Sequence, residues 1–190
     1  MLENIKYYPQ SYVMSDELKL FFTAVTNDAQ LQDALYLTPR IADVATIANK
    51  MGFNVKAREI LKAQAGRVLA IIAENSDDVE RLVSGRIPET GAQWGRGGGG
   101  FLDRAGFWLI ELFVAPAGNI DIEVQINNFL DRINQDSDLK KKLISAKTFN
   151  DVALLATEND LSITSVDFLF HQAKKIIALS EAEAEILAAS

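Results

Sequence analysis

The feature that most constrains this chain is an internal repeat. Shifted by 108 positions, the sequence lies over itself without a gap: Leu18–Ala70 over Ile126–Ala178. Over those 53 positions 12 residues are identical, among them Phe21/Phe129, Asp28/Asp136, Leu35/Leu143, Val44/Val152, Ala48/Ala156, Leu61/Leu169 and Ala65/Ala173. Other pairs keep only apolar character, such as Leu18/Ile126, Val55/Ile163 and Ile60/Phe168. Two stretches that preserve the same apolar positions and vary the rest predict two copies of one folding unit. Any account of the fold must build the same thing twice.

Within a copy the apolar spacing is helical. Ser15 can cap a helix with Asp16 and Glu17 in its first turn, and Leu18, Phe21, Phe22 and Val25 make an i, i+3, i+4, i+7 stripe. Asn27-Asp28 ends that helix and caps a second one burying Leu31 and Leu35. Thr38-Pro39 reads as the start of a third, with Ile41, Val44, Ala45 and Ala48 inside, and Gly52 as its left-handed stop. Asn54-Val55 leads into a fourth helix with Ile60, Leu61 and Val68. In the second copy Asp136, Thr148 and Thr164 are the corresponding caps, Asp160 replaces Gly52 as a weaker stop, and Ser180 caps a last helix over Glu181–Ala189. The expectation is an all-α protein of two four-helix modules.

Between the copies the composition changes. Ser76 with Asp77 and Asp78 predicts a cap and a helix through Leu82. The stretch Arg86 to Gly100 then reads as a glycine-rich linker. It delivers an apolar run, Phe101–Ala115, stopped by Pro116-Ala117-Gly118. As a helix this run is apolar on nearly all sides, which predicts a central helix that both modules pack against, or a docking surface for a partner or a membrane surface. Trp108–Val114 is also rich in strand formers, so a strand is the other reading. The expected organisation is an N-terminal extension over 1–14, a first module over 15–84, the linker and apolar helix over 85–120, and a second module over 121–190.

Composition removes function classes. No cysteine means no disulfide framework, thiolate metal site or cysteine nucleophile, and a single histidine, His171, cannot make a multi-histidine metal site. The net charge is −7, carried mostly by the second copy. Residues 1–70 hold 8 basic and 7 acidic groups, residues 121–190 hold 7 and 12. Ile41–Leu61 mimics a helix-turn-helix signature, and Lys56, Arg58 and Lys62 would face phosphate. The matching positions in copy two are Thr164, Val166 and Phe170, so nucleic-acid binding is disfavoured. The start has no charged-then-apolar signal pattern, and the longest apolar stretch falls short of the roughly 20 residues a bilayer requires, which leaves a cytoplasmic protein without a transmembrane segment as the expectation.

Met14-Ser15-Asp16-Glu17-Leu18, Phe21, Asn27-Asp28-x-x-Leu31-Gln32-x-x-Leu35 and Val44-Ala45-x-x-Ala48-x-x-x-Gly52-Phe53 together resemble the bacterial Nif-eleven domain family. The second copy resembles it more loosely. The resemblance implies a small helical domain, in some members the leader region of a ribosomally made, modified peptide, where it serves as a recognition handle and a Gly-Gly pair marks removal of the leader.

Three function classes follow. The first is a non-enzymatic protein- or peptide-recognition protein, an adaptor or accessory factor with a protein or peptide partner and no cofactor, docking through Phe101, Phe107, Trp108 and Phe113. The second is a precursor with residues 1–100 as leader, processed at Gly97, Gly98, Gly99 or Gly100. The third is a helical small-molecule or pigment-binding protein using His171 and the aromatics near Trp108. His171 has Ala63 as its counterpart in copy one, and its plain reading is a partly exposed helical histidine.

Overall fold

The computed structural model describes residues 11–38, 40–74, 77–85, 112–114 and 118–190. Copy one supplies α1 (Asp16–Asn27), α2 (Ala29–Tyr36), α3 (Ile41–Lys50), α4 (Ala57–Ala73) and α5 (Asp78–Ser84). Copy two supplies α6 (Ile120–Gln135), α7 (Ser137–Ser145), α8 (Phe149–Thr157), α9 (Ser165–Ala178) and α10 (Glu181–Ala189). A two-stranded antiparallel sheet joins β1 (Ser11–Val13) to β2 (Leu112–Val114), with Tyr12 opposite Phe113. The fold is all-α, and among the described residues each copy contributes five helices.

The duplication persists down to single hydrogen bonds. Asp28 and Asp136 both end one helix and cap the next, each carboxylate accepting two backbone N–H groups. Glu17 accepts from Asn54 N–H at 3.1 Å, and the equivalent Gln125 accepts from Ser162 N–H at 3.3 Å, so in both copies the first helix holds the loop after the third. Phe53 N–H reaches Ala48 C=O and Leu161 N–H reaches Ala156 C=O, at 3.0 and 3.1 Å, closing the same left-handed stop. Gly52 sits there at φ 95°, and Asp160 takes the position at φ 61°. The expected weaker stop is thus fully formed.

Most predicted caps hold. Ser15 accepts from Leu18 N–H, and Thr148, Thr164 and Ser180 each form a reciprocal box with the acidic residue three positions on. Thr38 does not cap α3. That helix begins after Arg40, and the Thr38 hydroxyl instead donates to Ala34 C=O at the end of α2. The repeat explains the difference, because Arg40, not Thr38, is the counterpart of Thr148. Arg40 grips Asp43 with two hydrogen bonds of 2.9 and 3.0 Å.

The two modules are not beads on a linker. Equivalent helices α4 and α9 lie against one another in the most extensive helix contact of the described residues. Ala65 and its counterpart Ala173 are both fully enclosed. α4 is buried on every side, including Ala63, Gln64, Gly66, Val68 and Leu69. One continuous apolar core therefore runs through both copies. The middle of the described structure is the α4–α9 pair, in the role expected of the apolar run. Of that run only residues 112–114 are described. They form strand β2 rather than helix, because a β-rich triplet pairs with Tyr12 and its neighbours.

The fifth helices are exchanged. α5 leaves copy one and packs on α8 and α9 of copy two. α10 leaves copy two and packs on α3 and α4 of copy one. No helix among the described residues is long and apolar enough to cross a membrane.

Candidate functional site

α10 lies on copy one by a single face. Glu181, Ala184, Glu185 and Ala188 recur at i, i+3, i+4 and i+7. Ala184 and Ala188 are completely buried, whereas Ile186 on the far side is 74% exposed. Small side chains let the backbone of α10 approach α4 closely. The two glutamates meet the basic start of α4: Arg58 Nη2 lies 3.0 Å from Glu181 Oε2, and Arg58 Nη1 lies 3.9 Å from Glu185 Oε2. One turn on, Lys62 Nζ donates to the carbonyl of Leu179, the residue that ends α9. Burial pushes the Lys62 ammonium below its ordinary range, and the nearby Glu181 carboxylate opposes that shift.

Cavities flank the seated helix. One of about 340 Å³ opens between β1 and α4, lined by Tyr12, Met14, Arg58, Lys62, Ile177 and Glu181. A second of about 610 Å³ opens beside the far end of α10, between α3 and the start of α4. Ala42, Ala45, Val55 and Ala57 give it an apolar base, and Lys50 and Lys56 line it too. The groove in copy two is built differently. The positions of Lys56, Arg58 and Lys62 are Thr164, Val166 and Phe170 there, and the occupant α5 buries Leu82 and Val83. The copy-two wall lacks the three cations, and its occupant buries Leu82 and Val83. The copy-one wall carries them, and its occupant brings alanines, glutamates and a partly buried Leu187.

Of the basic residues that suggested a phosphate-facing helix, Arg58 thus meets carboxylates of the same chain and Lys62 a backbone carbonyl. Sequence reasoning did not find the groove, since its occupant lies 123 residues from the wall it meets, counted from Arg58 to Glu181. The alternation of Glu and Ala in Glu181–Ala189 was the available signal.

His171 is buried, not partly exposed, and it has a partner. Its Nδ1 lies 2.6 Å from Glu123 Oε2, tying α9 to α6. The pair belongs to copy two alone, for the counterparts are Ala63 and Ser15. Glu123 is available because α6 starts a turn earlier than α1, behind an Asn119 cap. His171 Nε2 is also buried and has no hydrogen-bond partner among the described residues. Gly118 crosses this cluster so closely that a Cβ would come within 3.0 Å of Lys174 Nζ and 3.3 Å of Phe170 Cε1. Lys174 Nζ stands 5.3 Å from the centre of the Phe170 ring. Of the docking residues expected from sequence, Phe113 is in β2. Phe101, Phe107 and Trp108 lie outside the described residues, as do Gly97, Gly98, Gly99 and Gly100.

No curated protein and no solved structure matches the chain. The model of the Nif11 domain matches it twice, over residues 15–60 and 123–168. The second match begins and ends 108 residues after the first, which is the shift that superposes the sequence on itself. The first match spans α1 to α3 and the start of α4, the second runs from within α6 through α7 and α8 to the start of α9, and the exchanged helices α5 and α10 fall outside both. The chain therefore carries two Nif11 domains in tandem.

Proposed function

We propose that this chain is a non-enzymatic protein- or peptide-recognition protein, an adaptor or accessory factor built from two Nif11 domains. The observation that supports this reading is that each module buries a helix from outside itself: α10 on α3 and α4, α5 on α8 and α9. Laying a helix face into a groove is a common way to bind a peptide. Here both walls and occupants belong to one chain.

The shared core also favours a chain that stays whole over a leader that is cut away. A break after Gly98 or Gly100 would leave α4 and α9 on different fragments, and releasing either exposes apolar surface that now faces its counterpart. Intact-mass measurement on host extract is expected to find the uncut chain, and a species ending at Gly98 or Gly100 would revive the precursor reading. Recognition itself is tested by cross-linking and affinity capture in the host at physiological salt. A protein or peptide retained in stoichiometric amount is expected, and its absence would remove the proposal.

A further inference from the structure

We infer that α10 occupies, within its own chain, a docking site for an acidic helix of a partner protein. That helix carries Glu-x-x-Ala-Glu-x-x-Ala and a bulky apolar residue where α10 has Ala189. The inference rests on the recognition reading above and names its site and ligand chemistry.

Charge carries the argument first. The site presents Arg58 to the seated helix, Lys62 holds the Leu179 carbonyl just before that helix with the Glu181 charge nearby, and Lys50 and Lys56 line the cavity at its far end. Glu181 and Glu185 face Arg58. In copy two the corresponding wall has no cation at the positions of Lys56, Arg58 and Lys62, so this basic character is specific to one groove and not a property of the fold.

Fit carries it second, because α10 fills the site incompletely. Glu185 Oε2 is buried but makes no hydrogen bond among the described residues, and its ion pair with Arg58 is long at 3.9 Å. A buried acceptor without a donor is costly, so this contact has room to improve. The residues that α10 buries completely are alanines, with Leu187 only partly buried against the core, and Ala189 ends beside about 610 Å³ of space with an apolar base. A Leu at that position would bury more apolar surface there than a methyl group can. α10 is held by small contacts and by tethering, which gives it a high effective concentration. A free helix binds well only when α10 is removed or when its own contacts are better.

The test uses the full chain and a fluorescein-labelled synthetic peptide with the sequence of residues 180–190 carrying Ala189→Leu. In the Glu181→Arg/Glu185→Arg chain, α10 is repelled by Arg58. Fluorescence anisotropy is expected to show that this variant binds the peptide at least tenfold more tightly than the natural chain does. Adding Arg58→Glu is expected to weaken binding at least tenfold, because the new carboxylate repels the peptide's glutamates and lets the arginines of α10 reseat. Circular dichroism of each variant reports whether the helical core survives; Glu185→Gln is the milder displacement for use if it does not. Equal binding to the displaced and natural chains, or indifference to Arg58→Glu, overturns the inference. So does a dimer of the displaced chain that the peptide fails to dissociate, since the groove would then belong to a second copy. If host capture still succeeds and the peptide assay fails, recognition stands at another surface and only the role of α10 falls. If capture fails as well, both fall.

Discussion

At the scale of single residues, the buried Glu123–His171 pair makes the sharpest demand. Removing one partner of a buried, hydrogen-bonded pair strands the other without water. His171→Ala is expected to cost about 3 kcal/mol in urea unfolding, in line with other broken buried pairs. His171→Leu combined with Glu123→Leu is expected to recover most of that loss, because no orphan charge remains. If the double variant is as unstable as the single one, the pair does more than satisfy itself. Tyr12 makes the second demand. Its ring is buried against α4, its hydroxyl donates to Glu59 C=O, and burial pushes the phenol far above its ordinary value, with the Glu59 charge adding to the shift. A raised folded-state value means that the stabilisation is complete below about pH 10, where the unfolded phenol titrates, and is lost as pH rises beyond it. Stability measured from pH 8 to 11 should fall for the natural chain and fall less for Tyr12→Phe.

At the scale of elements, the repeat supplies its own controls. The two left-handed stops share one geometry but hold Gly52 and Asp160. Asp160→Gly is expected to stabilise the chain by about 0.5–1 kcal/mol, and Gly52→Ala to destabilise it by about 1 kcal/mol or more. Opposite signs at equivalent positions, read by thermal unfolding, are the distinguishing result. Gly66, in the middle of α4, is different: a Cβ there would meet Tyr12 at an ordinary 3.4 Å, and the backbone is helical. Gly66→Ala should therefore gain about 0.5–1 kcal/mol of helix propensity. The caps add an acid limit. Backbone N–H groups hold the carboxyls of Asp136, Asp151 and Glu183 below their usual range, those of Leu139 and Asp138, of Lys147 and Thr148, and of Ser180 respectively. Lowered values stabilise above the ordinary carboxylate range and cease to do so as pH drops through them. α2, α7, α8 and α10 were legible because such caps act within three residues. Thr38 misled, since a Thr-Pro pair near a helix start mimics a cap, and α5 takes Asp77 as its N-cap in place of the expected Ser76, which lies outside the described residues.

At the scale of the whole molecule, the exchange of α5 and α10 seats one helix of each copy on the other. Cutting the chain enzymatically at a protease site inserted between Gly98 and Gly99 is expected to leave two fragments that co-elute as one species. They should separate only in denaturant. Fragments that part in plain buffer would show that the α4–α9 contact is too weak to hold the copies. Unfolding of the uncut chain should likewise follow a single transition by fluorescence and circular dichroism.

The sequence by itself determined the repeat, the helices, their caps and the family, because each of those is written in short-range spacing and in apolar positions that both copies share. It could not say that α4 would be buried on all sides, that His171 would find Glu123, or that Glu181 and Glu185 would close on Arg58. Those outcomes depend on how two equal modules turn their central helices toward one another. That choice is made by packing between residues about a hundred positions apart, where no local pattern reaches.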